Sequence, residues 1–220
     1  QFVDDGPSFI GEEPISIDFG DSVLQVKDAE TLNGETSVAS VALTDVVTFA
    51  DVDFGGDLEG SITQGYTLAL GEGNDNSPTL ASGGQPITLS VSEDGQTLTA
   101  TITVDGEEQT VFTLAITEVE GVPSLVLTQY LPIDHSDTDN ADAVKVLDGL
   151  VALSASITAV DGDGDEISAE QTFNLGEVLQ FVDDGPSFIG EEPISIDFGD
   201  SVLQVKDAET LNGETSVASV

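Results

Sequence analysis

Carboxylates dominate the chemistry available to this chain. The sharpest group is Asp161-Gly162-Asp163-Gly164-Asp165-Glu166, with aspartates at i, i+2 and i+4 and glycines between them. Glycine lets the backbone fold tightly enough for alternate carboxylates to converge on one point. Hard oxygen donors of that kind suit Ca²⁺, which takes about six to eight of them.

The spacing begins like an EF-hand loop and then departs from it. Glu166 stands where the invariant glycine belongs, and Thr172 where the bidentate glutamate belongs. The run therefore reads as a Ca²⁺-binding turn between two strands of a β-protein, against the plainer alternative of a solvated Asp-Gly hairpin. A second cluster is Asp183-Asp184-Gly185-Pro186, which has a copy at Asp4-Asp5-Gly6-Pro7. An ion shared by Asp161, Asp163, Asp165, the Asp183–Asp184 pair and an acid of the following unit would stiffen the connection there. Asp207 and Glu209, equivalent to Asp28 and Glu30, are the candidates for that last acid. Without an ion, such aspartates cap turns by accepting local backbone N–H bonds.

A third cluster runs from Asp134 to Asp142 and holds two weaker ligand candidates, Asp137 and Asp139. It surrounds His135, the only histidine. A zinc or catalytic reading normally wants a second His or a Cys, and the chain offers neither. His135 is expected to be a loop residue whose pKa the neighbouring acids raise. Gly71–Asn76 and Asp51–Asp57 read as solvated turns. Serines lack a general-base partner, and acid pairs are too common to mark a catalytic dyad, so no enzyme is expected.

The whole composition points the same way. Among 220 residues there are 43 acids and three lysines (Lys27, Lys145 and Lys206), for a net charge of −40, with no Cys, Met, Trp or Arg. That field argues against nucleic acid and anionic membrane as partners. Without cysteine there is no disulfide framework. No apolar run approaches the ~18 residues of a membrane span, and no signal peptide opens the chain, which reads as an internal segment of a larger protein. Acidity alone would suggest disorder, but 39% hydrophobic residues in short runs can build a core.

Residues 1–41 recur unchanged at 180–220, an offset of 179 residues. One period carries 34 acids and two lysines, a charge of −32. The period is too long for a solenoid, whose units run ~20–50 residues, and suits a domain-sized bead on a string. The expected organisation is the end of a preceding repeat and linker at 1–15, one complete repeat at 16–182, a linker at 183–194, and the start of the next repeat at 195–220.

Alternating apolar and polar residues predict strands at Ser22–Lys27, Ile87–Ser92, Thr97–Val104, Val111–Thr117, Ser124–Gln129, Val151–Val160, Ile167–Leu175 and Val178–Val182. Asp-Gly and Gly-Gly turns separate them, and Asp105-Gly106 marks the clearest hairpin. Ala141–Leu147 is the one stretch with a helical turn or two. The fold class is all-β, an enlarged immunoglobulin-like β-sandwich repeated in tandem.

The order Ile157-Thr-Ala-Val-Asp161-Gly-Asp-Gly-Asp165, then Leu179-Gln-Phe-Val-Asp183-Asp-Gly-Pro186, resembles the tandem repeats of giant bacterial RTX adhesins exported by type I secretion. Leu24-Gln-Val-Lys-Asp28-Ala-Glu30-Thr-Leu is similar to their opening strand. The resemblance implies an extender rod at the bacterial cell surface that holds a distal ligand-binding domain outward for attachment and biofilm formation. It implies Ca²⁺ at the linkers, carried over to Asp161, Asp163, Asp165, Asp183 and Asp184, and to Asp4 and Asp5. The partners implied are adjacent repeats of the same chain, with any surface ligand bound by other domains. The glycine-rich RTX nonapeptide is absent, so this segment is not the secretion-proximal β-roll. The competing reading is a repeat that itself grips a glycan or cell-surface ligand through loops at 71–86 or 132–142. Exposed aromatics there would favour it.

Overall fold

A computed structural model describes residues 6–31, 34–56, 60–71, 80–136, 140, 143–147 and 149–183. The chain divides into two units, Gln1–Gly185 and Pro186–Val220. All described residues lie in the first.

The fold is an all-β sandwich. Its largest layer is a five-stranded antiparallel sheet in the order Thr88–Val91, Thr97–Val104, Glu107–Val119, Val122–Gln129 and Ser37–Ala42. Two tight turns build its centre. Asp105 and Gly106 take φ of 54° and 87°, the left-handed pair that a two-residue hairpin between twisted strands requires. Glu120 and Gly121 do the same at 54° and 82°. Opposite the Ala100/Thr101 step the register slips, and Val111 and Phe112 are buried in succession, the mark of a β-bulge.

Two three-stranded sheets complete the layers. One pairs Val151–Val160 with Glu166–Asn174 on one side and Ser61–Leu70 on the other, all antiparallel. The other is Val144–Val146, Leu179–Val182 and Leu24–Lys27, with the last two strands parallel. Phe112 of the large sheet meets Phe181 of this parallel pair at 4.9 Å between ring centroids. Leu98, Leu114, Leu125, Leu127, Leu153, Ile157 and Leu179 fill the same core, each at most 1% exposed.

The structure departs from the sequence reading in several places, among them the strand Ser37–Ala42, which the alternation does not mark. Ser8–Phe9 and Ile15–Ile17 are strands paired with Val52–Asp53 and Val47–Phe49, although 1–15 reads as linker. Phe9 and Ile15 draw that segment onto the core. Within Ala141–Leu147 the described part forms the strand Val144–Val146, because its Val-Lys-Val alternation completes a sheet edge. Single helical turns stand instead at Asp28–Thr31 and Leu43–Val46. Ser61–Leu70, the partner of Val151–Val160, does not read as a strand because Gln64 interrupts the apolar register of Ile62, Tyr66, Leu68 and Leu70.

Candidate metal centres

The hairpin between Val151–Val160 and Glu166–Asn174 closes at Val160↔Glu166, leaving residues 161–165 as its loop. Asp161 organises that loop. Its N–H donates to the Asp165 carbonyl at 3.0 Å, and its Oδ1 accepts from the N–H groups of Gly164 at 3.0 Å and Asp165 at 2.8 Å. Gly164 takes φ +106°, which a β-carbon would strain. Carboxylate oxygens of Asp161, Asp163 and Asp165 converge within 4.8 Å of one another. Asp161 is 5% exposed, and its Oδ2 is buried without a hydrogen-bond partner. Burial works to raise the Asp161 pKa. Hydrogen bonds from Asp163 and from the backbone of Asp165, Gly164 and Asp163 outweigh it and hold the group below the usual carboxylate range.

Two remote glycines frame the loop. A β-carbon at Gly60 would overlap the Val160 carbonyl oxygen and lie 2.7 Å from that of Asp161. One at Gly6 would lie 3.2 Å from Asp165 Oδ2. The loop is thus in contact with the end of the Asp4-Asp5-Gly6-Pro7 segment.

The second convergence is elsewhere. Parallel pairing sets Val182 beside Lys27, so the next residues, Asp183 and Asp28, fall side by side. The Asp183 N–H donates to the Ala143 carbonyl at 2.8 Å. His135 joins them, and one ligand atom from each residue lies within 4.8 Å of the others. Asp28 Oδ1 accepts from Gln129 Nε2 and from the Ile133 N–H at 3.3 Å. Asp28 Oδ2 lies 3.4 Å from His135 Nε2, an ion-pair contact, but Nε2 makes no hydrogen bond. Burial pushes the Asp28 carboxyl above the usual range. Gln129, Ile133 and the His135 charge pull it down, while the Asp183 charge adds to the rise.

Residues 21–176 match the family described as a domain of unknown function (DUF5801). The chain belongs to this family. No curated protein matches it. The span shared with DUF5801 takes in Asp28, His135 and the Asp161–Asp165 loop and ends before Asp183. Among the described residues of this DUF5801 domain, no helix is long and apolar enough to cross a membrane.

The remaining sequence candidates distribute as follows. Among the described residues, Asp161, Asp163 and Asp165 form one group and Asp183 lies in another with Asp28 and His135, while Asp184, Asp207 and Glu209, the other members of the expected junction site, lie outside the described residues. Glu30 belongs to neither, since its Oε2 accepts from the Ser37 hydroxyl. Asp4, Asp5, Asp137, Asp139, Asp184, Asp207 and Glu209 lie outside the described residues. Asp134 brackets a turn, accepting from the N–H groups of Gly83 at 2.9 Å and Gly84 at 2.8 Å. His135, expected as a loop residue, has a side chain only 3% exposed. Gln129, fully buried on Asp28, carried no signal in the sequence beyond its place at the polar end of an alternating strand. Tyr66 packs on Phe49 at 5.9 Å between centroids, within the sheet and away from the loops.

Proposed function

We propose that this domain is a calcium-stiffened spacer, one bead of a tandem array that serves as the extender of a bacterial surface adhesin. The observation that carries the reading is the buried, unpartnered Asp161 Oδ2 within a three-carboxylate loop that touches Gly6 of the Asp-Asp-Gly-Pro segment. The unchanged recurrence of 41 residues supports it, because a spacer needs number and not diversity.

The mechanism is electrostatic. At −32 per repeat, neighbouring beads repel one another and their joints flex. Ca²⁺ on the loop neutralises carboxylates and fixes the incoming linker at Gly6. Asp183 to Pro186 is the equivalent linker sequence at the other end, and a carboxylate oxygen of its first residue lies within 4.8 Å of ligand atoms of Asp28 and His135 of its own bead. Each linker would thus be pinned at its first aspartate by the bead it leaves and at its glycine by the loop of the bead it enters. Coupling of ion binding to folding then rigidifies the array in millimolar extracellular Ca²⁺.

Thermal melts in millimolar Ca²⁺, in Mg²⁺ at equal ionic strength and in EDTA test this. At a hundredfold excess over Kd one site adds ~2.7 kcal/mol, a rise of roughly 5–10 °C for a domain of this size. Equal melting in Ca²⁺ and Mg²⁺ would reduce the effect to charge screening and sink the proposal.

A further inference from the structure

The geometry points to a second, chemically distinct ion site: Asp28, His135 and Asp183 hold a Zn²⁺ ion at the point where the chain leaves the bead. The donor set is one imidazole nitrogen and two carboxylates, each offering an atom within 4.8 Å of the others. Calcium sites are built from oxygen alone, whereas nitrogen and carboxylate together suit zinc. The site also differs from the Asp161 loop in burial, since Asp163 and Asp165 are exposed whereas the side chains of His135 and Asp28 are only 3% and 5% exposed.

The strongest indication of a missing ligand is His135 Nε2. It is buried, faces Asp28 Oδ2 at 3.4 Å, and makes no hydrogen bond. A buried imidazole nitrogen that makes no hydrogen bond is costly, and such groups are rare in folded proteins. A cation among the three side chains would take its lone pair and separate two carboxylates that otherwise repel.

The surroundings resemble a support for ligands more than a simple ion pair. Gln129 Nε2 and the Ile133 N–H fix Asp28 through Oδ1, which leaves Oδ2 for the ion, as outer partners do in metal sites. Gln129 Oε1, on the same amide, is a second buried atom without a partner. It offers an acceptor for a water in the fourth position of a tetrahedral ion. Asp183 follows the strand Leu179–Val182, so the ion would clamp the last strand of the repeat against the first turn after Leu24–Lys27.

The chain has a single histidine, so its imidazole signals in an NMR spectrum report this site alone. Zn²⁺ should be titrated into the 220-residue chain already saturated with Ca²⁺. The inference expects the His135 signals to move and to saturate at one equivalent, with no return on adding further Ca²⁺. His135→Gln and, as a variant at a strand end less critical to folding, Asp183→Asn should each weaken Zn²⁺ binding by at least about tenfold in calorimetry. Asp161→Asn with Asp163→Asn should leave Zn²⁺ binding intact, which separates this site from the calcium loop. His135 signals that titrate with pH but ignore excess Zn²⁺ would overturn the inference and leave an imidazolium between two carboxylates. Zn²⁺ binding that survives both His135→Gln and Asp183→Asn would overturn it equally.

Discussion

The Asp161–Asp165 loop gathers its three carboxylates from five consecutive residues, whereas Asp28, His135 and Asp183 come from three distant points of the unit. The first cluster is positioned by its own backbone, through the bonds from Gly164 and Asp165 to Asp161. The second exists only once the parallel strands Leu24–Lys27 and Leu179–Val182 have paired and the chain after Val122–Gln129 has folded over them. A site of the first kind can form late, on an ion's arrival. A site of the second kind is a product of the finished core. Variants that separate these dependencies therefore test the contrast directly.

The largest effect should come from Phe181→Ala. Phe181 is fully buried against Phe112, and a truncation of this size costs about 3–5 kcal/mol. Chemical denaturation should show that loss. In the population that remains folded, Zn²⁺ affinity should fall with the docking of Asp183, while Ca²⁺ binding at the loop persists. If Ca²⁺ binding fell in proportion, the loop would depend on the core as much as the buried cluster does.

Asp28→Ala comes next. It removes the acceptor of Gln129 Nε2 and of the Ile133 N–H inside the core, at a cost of about 3 kcal/mol. The loss should appear in EDTA as well as in Ca²⁺. Asp161→Ala, which frees only the loop N–H groups of Gly164 and Asp165, should cost less in EDTA and remove most of the Ca²⁺-dependent rise in Tm. Parallel losses for both variants in EDTA would erase the distinction between a structural and an ion-dependent carboxylate.

The contrast also explains what was legible in the sequence. Alternation located Thr97–Val104 and Val151–Val160 to the residue, because each strand buries one face. The local loop was visible because its ligands share one short motif. The buried cluster was only half visible. Asp28 and Asp183 stand out as acids, but their sequence context points to a joint between repeats, with Asp207 as the equivalent of Asp28. No sequence pattern reports that two strands will pair in parallel and bring positions 28 and 183 together. His135 gives no metal signal in the sequence, which offers no second histidine or cysteine, although two carboxylates supply the remaining donors. Gln129 reads as the polar end of an alternating strand, and only its buried hydrogen bond to Asp28 shows what it holds.

Gly60→Ala probes how far the local loop is truly local. The added methyl would overlap the Val160 carbonyl oxygen, so the strands Ser61–Leu70 and Val151–Val160 must part at that end. Overpacking of this kind costs about 1–3 kcal/mol. Ca²⁺ affinity should drop with it, since Asp161 begins where Val160 ends. Unchanged Ca²⁺ affinity in a destabilised variant would make the loop independent even of its own hairpin's neighbour.

Gly6→Ala should have the smallest effect and is the most specific test of the linker contact. Gly6 does not adopt a left-handed conformation, so alanine introduces no backbone strain. The only consequence is a methyl group 3.2 Å from Asp165 Oδ2, which must yield by a few tenths of an ångström. In EDTA the melt should stay within ~0.5 kcal/mol of the parent, as for an ordinary surface change. In Ca²⁺ the variant should need more ion to reach the same Tm, because the carboxylate that moves is one of the three that converge. A two-repeat chain carrying the same change at Gly6 and Gly185 should then scatter X-rays as a more flexible particle in Ca²⁺, with a smaller maximum dimension. An identical scattering profile alongside a weakened loop would show that the ion shapes the bead without stiffening the joint.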